Sequence, residues 1–329
     1  MKDILDLNNF IENVLVAHKV PGAEVTLIYK GKIILSSPYG FKNSITKEKL
    51  IENTVFEAAS LTKPIITYAA LQLCDEAVLN LDKPLYKYLD KSYLKNQPLY
   101  ELITLRQVLS HSSGFPNHAE KNELKVLFKP GEKFTYSGEG FMYLQHVIEH
   151  LTDLSLDQYI DNKIFKPLNM INSSLIWKDC FEKQVSYCHD KRGSSPQIRR
   201  DSIPRAKGSL LTTTNDYAKF LFDLFEVFNN DETFVRNMFY PEIIVNDYIS
   251  WSLGWGVVPS KNYNSYWHWG DNNCYKAFTL FSPEDKSGVI IFTNGYNGLS
   301  VCKEIVYYIY GEYFAFSKLL DEWYKDENL

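Results

Sequence analysis

The chain has 329 residues, 45% of them apolar and 23% charged, with a formal net charge of −5. That is enough for one large domain or two intimately packed ones. The acidic balance and the absence of a Lys/Arg run leave no cationic surface to steer nucleic acid or an anionic membrane. No apolar run approaches the roughly 20 residues that span a bilayer, so neither nucleic acid nor a membrane segment is expected.

Residues 4–18 read as an amphipathic helix, and residues 23–29 and 32–36 as two strands joined at Lys30-Gly31. From about residue 65 to 240 the pattern is helical and loop-rich, broken at Pro84, Pro98, Pro116, Pro130-Gly131 and Pro167. Residues 191–205, polar and rich in Ser and Pro, predict an exposed loop whose simplest role is a solvated connection. Strands follow at 254–258, 275–281 and 288–293, then a closing helix from Leu299, so sheet at both ends encloses a helical middle. The acidic end from Asp321 is most simply solvated. Five cysteines at 74, 180, 188, 274 and 302 form no Cys-x-x-Cys pair and are odd in number. This argues against a disulfide framework or a thiolate zinc site and fits a reducing compartment. Acidic and amide residues interrupt the first ten positions where an export signal needs an apolar stretch, so a cytoplasmic protein is expected.

Ser60-Leu61-Thr62-Lys63 carries the first chemical signal. It follows the small pair Ala58-Ala59 and opens a helical pattern over 65–79, with Pro64 in the first turn where proline is tolerated. Residues at i and i+3 share a helix face, which sets the Ser60 hydroxyl beside the Lys63 amine, and the helix N-terminus favours negative charge nearby. Ser44…Lys47, Ser92…Lys95 and Ser300…Lys303 fit the same spacing. They lie in a polar loop, a charged connection and the opening of a late helix, and read as chance matches. Tyr136, in Phe134-Thr-Tyr-Ser-Gly138, is a proton-shuttle candidate if a cationic Lys63 lowers its phenol pKa, although any one of 23 tyrosines is more simply buried and satisfied. His268-Trp269-Gly270 stands before the strand predicted at 275, with a glycine that would let backbone approach a ligand closely. His111 reads as a satisfied structural histidine. His146-Val-Ile-Glu149-His150 matches an inverted zinc-peptidase pattern. The same helix supplies Tyr143, Leu144, Val147 and Ile148 to a core, and no third ligand is evident, so no metal or other cofactor is expected.

Taken in order, these motifs resemble the class C β-lactamase and penicillin-binding-protein group of serine hydrolases. Ser60-x-x-Lys63 is similar to its nucleophile motif, Tyr136-Ser137-Gly138 to its Tyr-x-Asn, and His268-Trp269-Gly270 to its Lys-Thr-Gly or His-x-Gly. The segments 105–115 and 206–216 resemble its Leu-Leu-x-His-x-Ser-Gly and Gly-rich stretches, and the likeness runs over about residues 8–310. It implies a β-lactamase/transpeptidase-like α/β (α+β) fold: an antiparallel sheet flanked by N- and C-terminal helices, with a large mainly helical insertion. Residues 1–64 and 240–329 would form the sheet part and 65–239 the helical part, with the site between them.

The resemblance further implies an acyl-enzyme on Ser60, with Tyr136 as principal proton shuttle and Lys63 as its electrostatic partner. The backbone N–H groups of Ser60 and Asp271 would form the oxyanion hole, and His268 would act near Tyr136 as donor or cation. Gly138 departs from the family asparagine and Trp269 from a Thr or Ser hydroxyl. With Trp251, Trp255, Tyr266 and Trp267 nearby in sequence, this suits an apolar acyl or aryl group, the alternative for those aromatics being core packing. The expected activity is hydrolysis of an ester or amide of a small molecule or short peptide, esterase-like first. D,D-carboxypeptidase or D-aminopeptidase and then β-lactamase are the alternatives, with β-lactams as ligands, followed by a non-catalytic sensor or scaffold.

Overall fold

The computed structural model describes residues 4–95, 97–119, 123–194, 196–230, 232–259 and 263–311. Helix α1 (Ile4–His18) precedes the hairpin of β1 (Gly22–Tyr29) and β2 (Lys32–Asn43), as the periodicity predicts. Strand β2 runs past Ser36 and through Pro38. Pro38 lies opposite Glu24 of β1, while the far side of β2 pairs only at Phe41 and Asn43, with β3 (Glu48–Lys49). The missing N–H of proline therefore falls at an edge, where it is tolerated.

Strand β4 (Phe56–Ala59) leads into α2 (Thr62–Asp75). This helix starts before the predicted 65 and stops short of 79, because the chain turns at Ala77 with a left-handed φ of 58°. The middle of the chain supplies α3 (Leu105–Leu109), α4 (Gly138–Thr152), α5 (Leu156–Ile160), α6 (Thr214–Asn230) and α7 (Glu232–Phe239). Between α5 and α6 it also adds β5 (Leu210–Thr212), which pairs antiparallel with β4. Strands β6 (Ile243–Asn246), β7 (Ile249–Trp251), β8 (Gly256–Val258), β9 (Ser265–Asn272), β10 (Tyr275–Ser282) and β11 (Ser287–Thr293) then precede α8 (Gly298–Tyr310).

All strands except β4 and β5 join one antiparallel sheet in the order β3-β2-β1-β11-β10-β9-β8-β7-β6. Alternate side chains of a strand face opposite sides of its sheet, and here both sides are covered. Val289 and Ile291 pack with Ile11 and Val14 of α1 and Ile305 of α8. Ile290 and Phe292 pack with Phe56, Ile65 of α2 and Leu221 of α6. Burial on both faces explains why β11 reads as a continuous apolar run.

The pairing of Cys188 with Cys274 as a disulfide corrects the cysteine reading. Their Cα atoms are 5.1 Å apart although 86 positions separate them, so local spacing carries no trace of the contact. Cys74, Cys180 and Cys302 are free. Among the described residues no helix is long and apolar enough to cross a membrane. The acidic end from Asp321 lies outside the described residues.

Candidate active site

Ala59 closes β4 with φ +49°, a left-handed conformation that a residue with a Cβ rarely adopts. The chain thereby turns sharply, leaving Ser60 between the strand end and the first turn of α2. The Leu61 N–H donates to the Ala58 carbonyl at 3.1 Å and the Lys63 N–H to the Ser60 carbonyl at 2.9 Å. The Thr62 hydroxyl donates to the Ala59 carbonyl at 2.6 Å while accepting the Leu210 N–H at 2.9 Å, which pins this turn to β5. The i, i+3 geometry then delivers Lys63 Nζ to 2.9 Å from Ser60 Oγ and 2.7 Å from the Lys207 carbonyl oxygen.

Lys63 is 1% exposed and its Nζ lies 4.8 Å from the Tyr136 ring centroid. Burial drives its pKa well below the ordinary lysine value, assisted by the positive Lys207. Burial pushes the Tyr136 phenol above its ordinary value, against a smaller opposing pull from the Ser60 hydroxyl. This runs against the expectation of a phenolate favoured by a charged lysine: in so dry a place the charged form of the lysine is itself disfavoured, and the field meant to act on the phenol weakens with it. A neutral amine still has an N–H for the Lys207 carbonyl and a lone pair for the Ser60 hydroxyl.

Residues 265–272 form strand β9, so His268-Trp269-Gly270 stands within a strand and not ahead of one. Only Ser265 to Trp267 pair with β8, and the remainder of β9 runs alongside β4. A Cβ at Gly270 would lie 2.3 Å from the Ala58 carbonyl oxygen and 3.0 Å from the Ala59 Cβ. The close approach that requires glycine is therefore to the nucleophile's own strand. It brings Asp271 to the same cavity as Ser60. Trp269 also lines that cavity, its ring 4.8 Å from that of Tyr136.

His268 points the other way, as alternation on a strand demands. It is fully buried, its Nδ1 lies 2.7 Å from the Trp269 carbonyl, and its Nε2 has no hydrogen-bond partner among the described residues. Burial above all pushes its pKa down to about 3, which favours the neutral ring over the cation, the two forms anticipated for it. His111, also fully buried, accepts the Ser137 N–H on Nδ1 at 3.0 Å and lies 4.2 Å from the Tyr136 ring, but its Nε2 has no hydrogen-bond partner among the described residues, so the satisfied histidine anticipated here is satisfied on one side alone.

The cavity holds about 470 Å³ and is polar. Trp251, Trp255 and Trp267 are fully buried in the core, which corrects the expectation of an aromatic acyl pocket. The segment read as a solvated connection contributes Arg199, Asp201 and Arg205 to the cavity lining, and Lys207 just beyond it lines the cavity too. Arg199 pairs with Glu57, and Asn272 donates both to Glu57 at 2.9 Å and to the Gly208 carbonyl at 3.0 Å. Lys207 pairs with Glu139 at 2.7 Å, and Lys276 with Asp271. Asn117 also faces the cavity, its Oδ1 accepting the Gly138 N–H at 3.1 Å. Sequence reading missed all of these except Asp271. A charge at nearly every second position from 199 to 207 was the available signal for the wall.

His146 and His150 are exposed on α4, and Glu149 accepts from Gln145 Nε2 and the Leu156 N–H. Among the described residues no cluster of His, Cys, Asp or Glu is arranged to hold a metal.

Comparison with known proteins places this geometry. The family description Beta-lactamase matches residues 7–306. Protein flp of Staphylococcus aureus is 24% identical over 319 aligned residues, covering 88% of this chain and 62% of the relative, so the chain spans about three fifths of that protein's length. The octameric penicillin-binding protein homologue from Pyrococcus abyssi superposes with a TM-score of 0.79 at 27% identity, covering 90% of this chain and 74% of that one. The D-alanine carboxypeptidase AmpC from Burkholderia cenocepacia shares the fold at 15% identity, with a TM-score of 0.76 and coverage of 92% and 99%. With the match running through nearly the whole described chain, this protein belongs to the β-lactamase family.

Proposed function

We propose that the chain is a serine hydrolase that cleaves an ester or amide of a small molecule or short peptide through an acyl-enzyme on Ser60. One observation carries this reading: a fully buried lysine whose pKa is strongly lowered sits 2.9 Å from a serine hydroxyl at the cavity wall. A neutral Lys63 amine accepts the Oγ proton as Ser60 attacks the carbonyl, while its hydrogen bond to the Lys207 carbonyl fixes its lone-pair direction. Tyr136, a neutral phenol beside Ser60, passes its proton to the leaving group and takes up the one that Lys63 has accepted, so that both return to their starting forms. The N–H groups of Ser60 and Asp271 receive the developing oxyanion. Water then repeats the sequence on the acyl-enzyme. His268 supports the Tyr136 ring from behind.

Esterase-like hydrolysis comes first because Gly138 and Trp269 offer neither the amide nor the hydroxyl that would hold a β-lactam or a peptide carboxylate. The charged cavity favours a second reading, a peptide with a terminal D-alanine carboxylate of the kind implied by the name D-alanine carboxypeptidase. The test is hydrolysis of p-nitrophenyl esters by wild type and Ser60→Ala, run beside intact-mass measurement with a penicillin. Ester turnover that vanishes with Ser60 supports the first reading. A penicillin adduct on wild type alone moves the peptide reading ahead, and turnover that survives Ser60→Ala ends both.

A further inference from the structure

Asp271 carries two things into the cavity it shares with Ser60: the N–H proposed for the oxyanion, and a side-chain carboxylate. The backbone nitrogen and the side-chain oxygens of one aspartate are only a few bonds apart, so the charge created at the attacked carbonyl forms close to one already present. Like charges about 5–6 Å apart in a partly solvated site repel enough to slow such a step about tenfold to a hundredfold. The donor on this residue is fully effective only when the carboxylate beside it is neutralised.

Lys276 supplies the neutralising charge. It stands directly opposite Asp271 in the register of β9 with β10, and its Nζ pairs with Asp271 Oδ1, which also accepts the Asn273 N–H at 2.9 Å. Both contacts draw the carboxylate towards the hairpin turn. The lysine is 4% exposed, unlike the solvated cations elsewhere in the cavity. The Thr293 hydroxyl donates to its carbonyl at 3.2 Å, a Cβ at Gly298 would lie 2.9 Å from its own Cβ, and its ammonium sits 5.0 Å from the Tyr296 ring centroid. Taking an ammonium this far out of water costs about as much as its pairing returns, so stability alone gives little reason for it. The other carboxylates lining the cavity also have cations, Glu57 with Arg199 and Asp201 with Arg205, but neither stands on the oxyanion residue.

We propose that Lys276 is a positioning residue for acyl transfer: its ammonium holds and neutralises the Asp271 carboxylate, so that the Asp271 N–H meets the oxyanion without a competing negative charge. This rests on the acyl-enzyme reading of Ser60. Lys276 touches no reacting atom, and its effect belongs to kcat. Acylation and deacylation both pass through an oxyanion, so whichever of them limits turnover is affected.

The experiment measures kcat and KM for p-nitrophenyl acetate, a neutral ester with no charged group for the cavity to recognise. Wild type, Lys276→Met, Asp271→Asn and the double variant are compared, all below the temperature at which any of them unfolds. We expect Lys276→Met to lower kcat about tenfold to a hundredfold with KM within about twofold of wild type. Adding Asp271→Asn to it should raise kcat again by at least about fivefold, because the uncompensated charge goes while the backbone donor stays. A merely structural ion pair gives a different pattern: Asp271→Asn, which strands the buried lysine, would then slow turnover at least as much as Lys276→Met. That pattern, a double variant no faster than Lys276→Met, or a Lys276→Met kcat within about twofold of wild type overturns the assignment, as does a loss carried by KM. If Lys276→Met fails to fold, Lys276→Gln read in the same cycle decides. Hydrolysis of the acetate ester by Ser60→Ala at the wild-type rate would instead mean that the underlying mechanism is wrong.

Discussion

Lys63 and Tyr136, backed by His111 and His268, form a part of the cavity lining in which no residue is more than 7% exposed, whereas the side chains of Arg199, Asp201, Arg205 and Lys207, which also line the cavity, are between 28% and 49% exposed. Both walls are rich in ionisable groups, and solvent makes the difference between them. On the dry side burial has displaced the lysine, the phenol and both histidines from their ordinary titration, all toward the neutral form. On the wet side the basic side chains reach into water while the Glu57 and Glu139 carboxylates that hold two of them are only 10% and 13% exposed, and the pairing mainly orients side chains. The dry wall is thus where bond-making is arranged, and the wet wall is where a substrate is sorted.

The strongest test of this division is Ser60→Ala, which should lower ester turnover by at least about a thousandfold while leaving binding nearly intact. A variant that lost binding and kept turnover would reverse the two walls. Lys63→Met should cost about a hundredfold to ten-thousandfold in kcat/KM, the range of a missing general base. The pH profile sharpens this. Because the Lys63 pKa is lowered and the base must be uncharged, wild-type kcat/KM should rise with pH as the lysine loses its proton and level off once that depressed pKa is passed. A rise continuing to about pH 10, the ordinary lysine range, would show a charged lysine at neutrality and remove it as the base.

Gly270→Ala acts on the scaffold that joins the walls. Its methyl would meet the Ala58 carbonyl at 2.3 Å, so β9 must move away from β4. We expect about 1–3 kcal/mol lost from stability, read by denaturant unfolding, together with a fall in kcat as Asp271 leaves its position. The smallest effect belongs to Arg199→Ala. It removes the 45% exposed partner of a Glu57 side chain that is 10% exposed and still held by Asn272, should cost about 1 kcal/mol of stability, and should raise KM rather than lower kcat. A collapse of kcat there would mean that the wet wall takes part in the chemistry.

The dry wall was the more legible in sequence, for a physical reason. Ser60 and Lys63 are three apart on one helix, so the contact that matters is local and follows from helix geometry. The outer elements α1, β1, β10, β11 and α8 likewise follow from apolar periodicity. Strand β9 escaped because its His268, Asp271 and Asn272 interrupt the apolar signal on the stretch that runs beside β4. The wet wall escaped for another reason: its members reach the cavity from sequence positions 57, 117, 199–208 and 272, and no spacing rule links them. The sign of the Tyr136 shift depended on how dry Lys63 is, and burial of a lysine is a property of the completed fold that no single segment encodes.

Gly270 and Ala59 fix where the walls meet, and the Cys188–Cys274 bond fixes how the chain can be taken apart. In its oxidised form the bond closes a covalent ring over a sequence separation of 86, with β5, α6, α7 and β6 to β9 inside it. Such a chain cannot be drawn out in single file from either end. A translocating pore or an unfolding protease would meet two chain segments abreast at Cys188 when it pulls from the N-terminal side and at Cys274 when it pulls from the C-terminal side, and would stall there until the sulfurs were reduced.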